Sequence, residues 1–368
     1  MANKRIKPEW APKEDDEAFT SFVLPKISDD ENTTNISKGN VKSVEYTLNQ
    51  YIDGIKSNNR VILSKAITLV ESNSPAHFEK AQKIINAILP LTGNSIRIGI
   101  TGSPGVGKST FIESFGTMLT DLGHKVAVLA IDPSSIRSRG SILGDKTRME
   151  KLSRNPNAFI RPSSSTGTLG GVARKTRETM LVCEAAGYDI ILIETVGVGQ
   201  SEVTVKSMVD LFLVMLLPNS GDELQGIKKG IIELADILIV NKAEEDNIPK
   251  AMLTEALYKN AVHLLQHSIP NFIPPVLSVS ALNSLGLDSV WKKITDFIKF
   301  TKDIHYFEHN RHKQLTEWFN ALLNELIMRN ILNIPKNQLI LKNVENEILS
   351  NKISPVSAAN IAFNTIFK

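Results

Sequence analysis

Six short runs between residues 95 and 300 are apolar almost throughout, and longer stretches of mixed character separate them: "IRIGIT", "KVAVLAID", "YDIILIET", "VDLFLVMLL", "ADILIVNK" and "PPVLSVSA". A strand with one wet face alternates apolar and polar residues, whereas a strand covered on both faces does not. With helical spacers between the runs, the pattern predicts an α/β fold: a mostly parallel sheet flanked by helices. Ligands in such sheets bind beyond the carboxyl ends of the strands, so the chemistry is to be sought in the residues that close these runs.

The rest of the 368 residues falls on either side of that sheet. Residues 1–40 are polar, broken by Pro8, Pro12 and Pro25, and end in "SDDENTTNISKGN", which has too few apolar residues to offset the entropy of ordering; we expect a mobile tail. Residues 41–92 turn to helical spacing, with Ile62, Ala66, Leu69 and Val70 on one face and Ala81, Ile84, Ile85 and Ile88 on another. Residues 93–300 hold the sheet domain. Residues 301–368 contain no glycine, and "HKQLTEWFNALLNELIMRN" sets Leu315, Trp318, Phe319, Leu322 and Leu326 on one helical face. Such an apolar appendage covers either its own core or a second subunit.

Composition limits the partners. Lysine and arginine number 42 against 39 acids, a formal charge of +3, so no strong field draws the chain to nucleic acid or to an anionic membrane. The run "LFLVMLL" is far short of the ~20 residues that cross a bilayer, and "MANKRIKPEW" lacks an apolar signal core, which predicts a cytoplasmic protein. The single cysteine, Cys183, can form neither an internal disulfide nor a thiolate cluster and reads as a packed helix residue.

The most specific local signal is "GITGSPGVGKST", in which residues 102–109 match G-x-x-x-x-G-K-S between a strand and a helical stretch. Gly102, Gly105 and Gly107 let the backbone N–H groups, Val106 among them, turn inward around phosphates, and the helix beginning near Thr110 adds its positive end. Lys108 would reach the β- and γ-phosphates and the Ser109 hydroxyl would bind Mg²⁺. The chain is expected to bind a nucleoside triphosphate.

A phosphate-cleaving site also needs carboxylates for the metal and its waters. Asp132 closes "VAVLAID", Glu194 closes "DIILIE", and Asp145 lies in "RGSILGDKTRM"; each is a candidate metal residue, although an isolated acid is more often a cap or a solvated charge. After Glu194, "TVGVGQSE" puts Gly197 where a loop could donate a backbone N–H to the γ-phosphate. In "PNSGDELQGIKKG", Lys228 or Lys229 could add positive charge to the transition state, or either could be a solvated helix residue.

The base is read from two further strand ends, Asn241 and Lys242 in "ILIVNKAE", and Ser280 and Ala281 in "VLSVSAL". A carboxylate at position 244 can accept from both N1–H and the exocyclic amine of guanine, a pair adenine does not offer. Glu244 has the right charge and one methylene more than the aspartate usual at this place, which the loop or the rotamer must absorb, so we expect guanine selectivity to be retained but weakened.

Together with "AIDPSS", "IRPSSSTGTLGG", "ETVGVGQSE" and "GDELQGIKKG", these motifs occur in an order and spacing that resemble the MeaB/ArgK family of P-loop GTPases, over about residues 60 to 300. The resemblance implies a GTPase, with GTP/GDP and Mg²⁺ as ligands. It implies docking on a cobalamin-dependent acyl-CoA mutase such as methylmalonyl-CoA mutase, gating of adenosylcobalamin delivery, and protection or reactivation of that enzyme. It further implies Asp132 and Asp145 at a first switch, Glu194 and Gly197 in a second, Lys228 as the inward-turning lysine of a third, and residues 301–368 as the dimerisation arm of a homodimer. Two departures stand out: Glu244 replaces aspartate, and Arg139 stands where the family usually has a second glycine. Two other functions fit a triphosphate site. One is a kinase passing the γ-phosphoryl to a small molecule or a periplasmic transport protein, in line with an older name of the family, but no acceptor site or base is evident. The other is a metal-insertion GTPase, which the scattered histidines and lone cysteine disfavour.

Overall fold

The computed structural model of the chain describes residues 46–132, 149–164, 169–195, 201–218, 229–265 and 269–367, and the backbone of two short strands, β1 (Arg5–Ile6) and β2 (Ser21–Phe22). Those two strands pair antiparallel within a first unit, Met1–Glu45; the remainder, Tyr46–Lys368, is a second unit. Asp145, Gly197, Lys228 and Arg139 lie outside the described residues.

The second unit begins with three helices: α1 (Leu48–Lys56), α2 (Arg60–Glu71) and α3 (Pro75–Ile88). Their starts follow from local chemistry. Thr47 and Gln50 form a reciprocal capping box, the Asn59 carboxamide accepts from Val61 and Ile62, and Pro75 occupies the first turn of α3. Leu63, Ala66, Ile67 and Val70 of α2 and Ala81, Ile84, Ile85 and Ile88 of α3 are buried, as 3.6-residue spacing requires.

The sheet has seven parallel strands: β3 (Ile96–Gly102), β4 (Val126–Asp132), β5 (Ala158–Ser164), β6 (Ile190–Thr195), β7 (Leu211–Leu216), β8 (Ile237–Val240) and β9 (Val276–Ser278). Their spatial order is β5-β4-β6-β3-β7-β8-β9. Successive residues of the central strands feed opposite cores. Ile98, Ile100, Leu192 and Leu213 pack on one side with Phe111 and Phe115 of α4 (Lys108–Asp121), and Ile191, Ile193, Phe212 and Val214 pack on the other with α1–α3. Both faces are dry, which is why the runs do not alternate.

One strand escaped the sequence pattern. β5 carries Arg161 and Pro162 and is not a continuous apolar run, because it is an edge strand with only one neighbour. Helix α2 leans on that edge, where Arg161 pairs with Glu71 and Arg60 donates to the carbonyls of Asn155 (2.7 Å) and Pro156 (3.0 Å).

The remaining helices are α5 (Glu150–Arg154), α6 (Leu169–Ala185), α7 (Ser201–Lys206), α8 (Lys229–Leu234), α9 (Ile248–His263), α10 (Leu287–Asp303), α11 (Tyr306–Leu332), α12 (Pro335–Leu349) and α13 (Pro355–Phe367). Cys183 is fully buried in α6. Helix α10 closes the second core through Leu287, Val290, Ile294 and Phe297. Helices α11–α13 leave the sheet. Over the 27 residues of α11 the buried residue is Gln314, while Leu315, Phe319 and Leu326 are exposed and Trp318 and Leu322 are half-buried. No helix among the described residues is long and apolar enough to cross a membrane.

Candidate nucleotide site

Strand β3 delivers the chain to the phosphate loop. Gly102 ends the strand against β7, where an added Cβ would lie 2.6 Å from the Met215 carbonyl oxygen, and Gly107 caps α4 with φ +91°. A side chain at Gly107 is excluded twice, by that left-handed backbone and by the Asn241 carboxamide nitrogen 2.8 Å from an ideal Cβ. Nothing lies within 4 Å of the corresponding point at Gly105, so the loop is open there on one side.

Lys108 opens α4. Its ammonium donates to the carbonyls of Gly102 (2.8 Å) and Ser103 (3.3 Å), so it folds back over the loop. Burial pushes its pKa down, and the charges of Glu194 and then Glu202 pull it back up. The Ser109 hydroxyl donates to Glu194 Oε1 at 3.2 Å. Thr110 is exposed on the outer side of α4, and Val106 is fully buried beneath the loop.

The strand ends bring the acids in. Glu194 lies in register with Ile100 of β3 on one side and Ala130 of β4 on the other, so it points from the strand next to the phosphate loop. The following residue, Thr195, donates to the Thr101 hydroxyl at 2.7 Å, and both side chains are buried. Asp132 is the last residue of β4, paired with Ser164, and so ends the strand on the far side of β6 from the phosphate loop.

Sequence reasoning missed Glu202. It sits in the first turn of α7, 1% exposed, and its charge acts on Lys108. Helix α7 runs back down against β3. Val205 fills the space left by Gly99, whose ideal Cβ would be 2.8 Å from Val205 Cγ1, so Glu202, one turn earlier, stands about 4.5 Å nearer the carboxyl end of the sheet. Its place at the end of "ETVGVGQSE" was visible, but its burial was not, since an acid in a first helical turn is ordinarily a solvated partner of the helix dipole.

Across the loop, Asn241 joins three pieces. It is buried, its Nδ2 donates to the Val106 carbonyl at 2.8 Å, and its Oδ1 accepts from the Ala281 amide at 3.0 Å. The Ser114 hydroxyl of α4 donates to the Ala281 carbonyl at 2.7 Å, fixing the same loop from below. Glu244 accepts a hydrogen bond from the Ser280 hydroxyl, which in turn accepts from the Asn283 amide at 3.2 Å. Lys242 and Glu245, on either side of Glu244, adopt left-handed backbone conformations with φ +62° and +49°. Both conformations are uncommon for residues other than glycine, and they flank the carboxylate that meets Ser280.

Lys108, Ser109 and Glu194 thus form one group, and Asn241, Glu244, Ser280 and Ala281 a second, with the phosphate loop between them. The first offers hydroxyl and carboxylate oxygens, the hard donor set that Mg²⁺ takes alongside phosphate oxygens, at the mouth of a loop with glycine at 102, 105 and 107. The second offers a carboxylate held by a hydroxyl beside a buried carboxamide, a donor and acceptor set that complements a guanine edge. The residues fit a magnesium–guanine nucleotide.

Known proteins bear on the same residues. A family model described as "Methylmalonyl Co-A mutase-associated GTPase MeaB" matches residues 63–336. The Escherichia coli protein named GTPase ArgK is 45% identical over 287 residues, 78% of this chain and 87% of its own length. The Mus musculus protein named methylmalonic aciduria type A homolog, mitochondrial, is 43% identical over 318 residues, 84% of this chain and 77% of its own. A crystal structure described as LAO/AO transport system kinase superposes with a TM-score of 0.73 at 34% identity, covering 91% of this chain and all of that one.

Proposed function

The chain belongs to the family of methylmalonyl-CoA mutase-associated GTPases, and from that premise we propose that it docks on a cobalamin-dependent acyl-CoA mutase, where GTP hydrolysis gates the delivery of adenosylcobalamin and protects or reactivates the enzyme. The observation that carries the nucleotide half of this reading is Asn241, whose two hydrogen bonds lock the phosphate loop to the base-reading loops and make one continuous site.

On this reading GTP lies along the carboxyl edge of β3, β8 and β9. Lys108 exchanges the Gly102 and Ser103 carbonyls for β- and γ-phosphate oxygens, and Glu244, braced by Ser280, accepts from N1–H and the amine of guanine. Ser109, Glu194 and Asp132, with Asp145, would hold Mg²⁺ and its waters; when bound, the ion draws charge from the β- and γ-oxygens. Water attacks the γ-phosphorus in line, the bond to the β–γ bridging oxygen breaks, and GDP and phosphate leave. Lys108 shares the negative charge that develops on the phosphoryl oxygens. Lys228 is assigned, from the family resemblance, the partner-dependent share of that charge.

The exposed apolar residues of α11–α13, including Phe319, Leu326, Leu339 and Phe363, favour a homodimer built through this arm. The deciding experiment measures phosphate release from GTP and from ATP, each with and without the mutase. Preference for GTP and acceleration by the mutase are expected. A response to neither would remove the partner, and transfer of the γ-phosphoryl to an added small molecule or protein would establish the kinase alternative.

A further inference from the structure

Two side chains on one face of α11 grip residues 209–210, in the link between α7 and β7, and a third on the same face meets Arg177 of α6. Arg311 binds the Asp210 carboxylate through Nε and Nη2, both at 2.7 Å. Gln314 Nε2 donates to the Val209 carbonyl at 2.8 Å. Trp318 lies beneath the guanidinium of Arg177, 5.3 Å from its ring centroid. The spacing 311, 314, 318 puts all three on one stripe of the helix.

Arg177, from the middle of α6, closes the arrangement. Its Nη2 donates to the Ser207 carbonyl (2.7 Å) and hydroxyl (2.9 Å), and its Nη1 donates to the Gln314 carbonyl (3.1 Å). The side chain is 9% exposed, and its Nε has no hydrogen-bond partner among the described residues. Burial pushes its pKa down to about 10, so it stays charged near neutrality. A buried cation held by two carbonyls and a hydroxyl depends on both helical segments presenting those oxygens together.

The other end of α7 lies at the phosphate site. The chain leaves β6 at Thr195, bonded to Thr101 below the phosphate loop, and enters α7 six residues later at Ser201. Glu202 is buried near Lys108, and Val205 is pressed against Gly99. The short helix α7 therefore links Glu202, whose charge acts on Lys108, to Ser207, the residue after its last turn.

We propose that Arg177 is a positioning residue that couples the phosphate site to α11: exchange of GDP for GTP shifts α7, the oxygens of Ser207 move relative to Arg177, and Trp318 and the base of α11 respond. The coupling is reciprocal, so whatever covers α11 biases α7 and the position of Glu202 beside Lys108. It rests on the guanine-nucleotide reading of the site given above.

The test uses the full chain with Trp10→Phe and Trp291→Phe, leaving Trp318 as the sole tryptophan. Emission is recorded at saturation with Mg²⁺–GDP and with a non-hydrolysable Mg²⁺–GTP analogue, and binding is titrated in the same samples. A difference in Trp318 emission between the two nucleotides is expected. Arg177→Gln should abolish it and lower kcat several-fold while changing GDP affinity less than about twofold, the signature of lost positioning rather than lost binding. Ser207→Ala, which removes the hydroxyl acceptor and keeps the carbonyl, should shrink the difference and serves if Arg177→Gln does not fold. Equal emission with both nucleotides bound, or a difference that survives these substitutions, overturns the coupling. Failure of the analogue to bind at all would instead sink the nucleotide reading, and the coupling with it.

Discussion

Replacing Asn241 by alanine should loosen the whole site without touching a phosphate ligand. The substitution removes two hydrogen bonds, to the Val106 carbonyl and from the Ala281 amide, and Asn241 and Ala281 are both buried. Each backbone group left without a partner costs about 1–3 kcal/mol, so the nucleotide-free protein should lose roughly 2–6 kcal/mol for the two. Nucleotide binding must then rebuild the junction between the phosphate loop and the base loops. If one bond's worth, about 1–3 kcal/mol, is drawn from binding energy, GDP affinity falls roughly 5- to 150-fold. The assay pairs guanidinium unfolding of the nucleotide-free protein with titration of a fluorescent GDP. Stability unchanged within about 0.5 kcal/mol, the ordinary range for a surface substitution, together with unchanged affinity would show that Asn241 is not the junction.

Three further outcomes follow from the same geometry. Lys108→Ala should abolish tight triphosphate binding in a titration with a GTP analogue, and retained binding would mean the phosphate site is misplaced. Gly107→Ala should weaken GDP more than a strain of about 1–2 kcal/mol predicts, since the new methyl meets the Asn241 carboxamide as well as an unfavourable φ; affinity equal to the parent's would refute the close approach. The third concerns acid stability and Glu184, whose side chain is 1% exposed and which accepts from Arg97 (2.8 and 3.0 Å), the Ser95 hydroxyl and the Gly93 amide (2.9 Å). Burial alone would raise its pKa, but those donors hold it below the usual carboxylate range. A depressed folded pKa means stability that is complete above the unfolded value of about 4.3 and is lost as pH falls through the folded one. Glu184→Gln should therefore cost about 3 kcal/mol at pH 7 and show a shallower loss of stability in acid, read from guanidinium midpoints at pH 7 and pH 3; an unchanged acid slope would count against the pair.

The α/β fold and the family were legible in the residues for a physical reason. Strands buried on both faces must be apolar throughout, and a turn whose backbone wraps phosphates needs glycine at fixed intervals, so both leave marks a few residues long. The same reasoning passed over β5, because an edge strand tolerates Arg161 and Pro162, and it passed over Glu202, because nothing local to "GQSE" says that this acid is buried within reach of Lys108's charge. It grouped Leu315, Trp318, Phe319, Leu322 and Leu326 by spacing, yet Arg311 and Gln314, outside that group, bond to the sheet domain, and Tyr306 and Phe307 pack on its core. Spacing reveals which side chains share a face, whereas the partner of that face is set by elements more than a hundred positions away. The chain's own chemistry determined that it folds as a phosphate-binding parallel sheet. Only the tertiary structure decided that Asn241 ties the two halves of the site together and that a buried arginine joins α7 to the arm, because those contacts exist only once distant segments have been packed against each other.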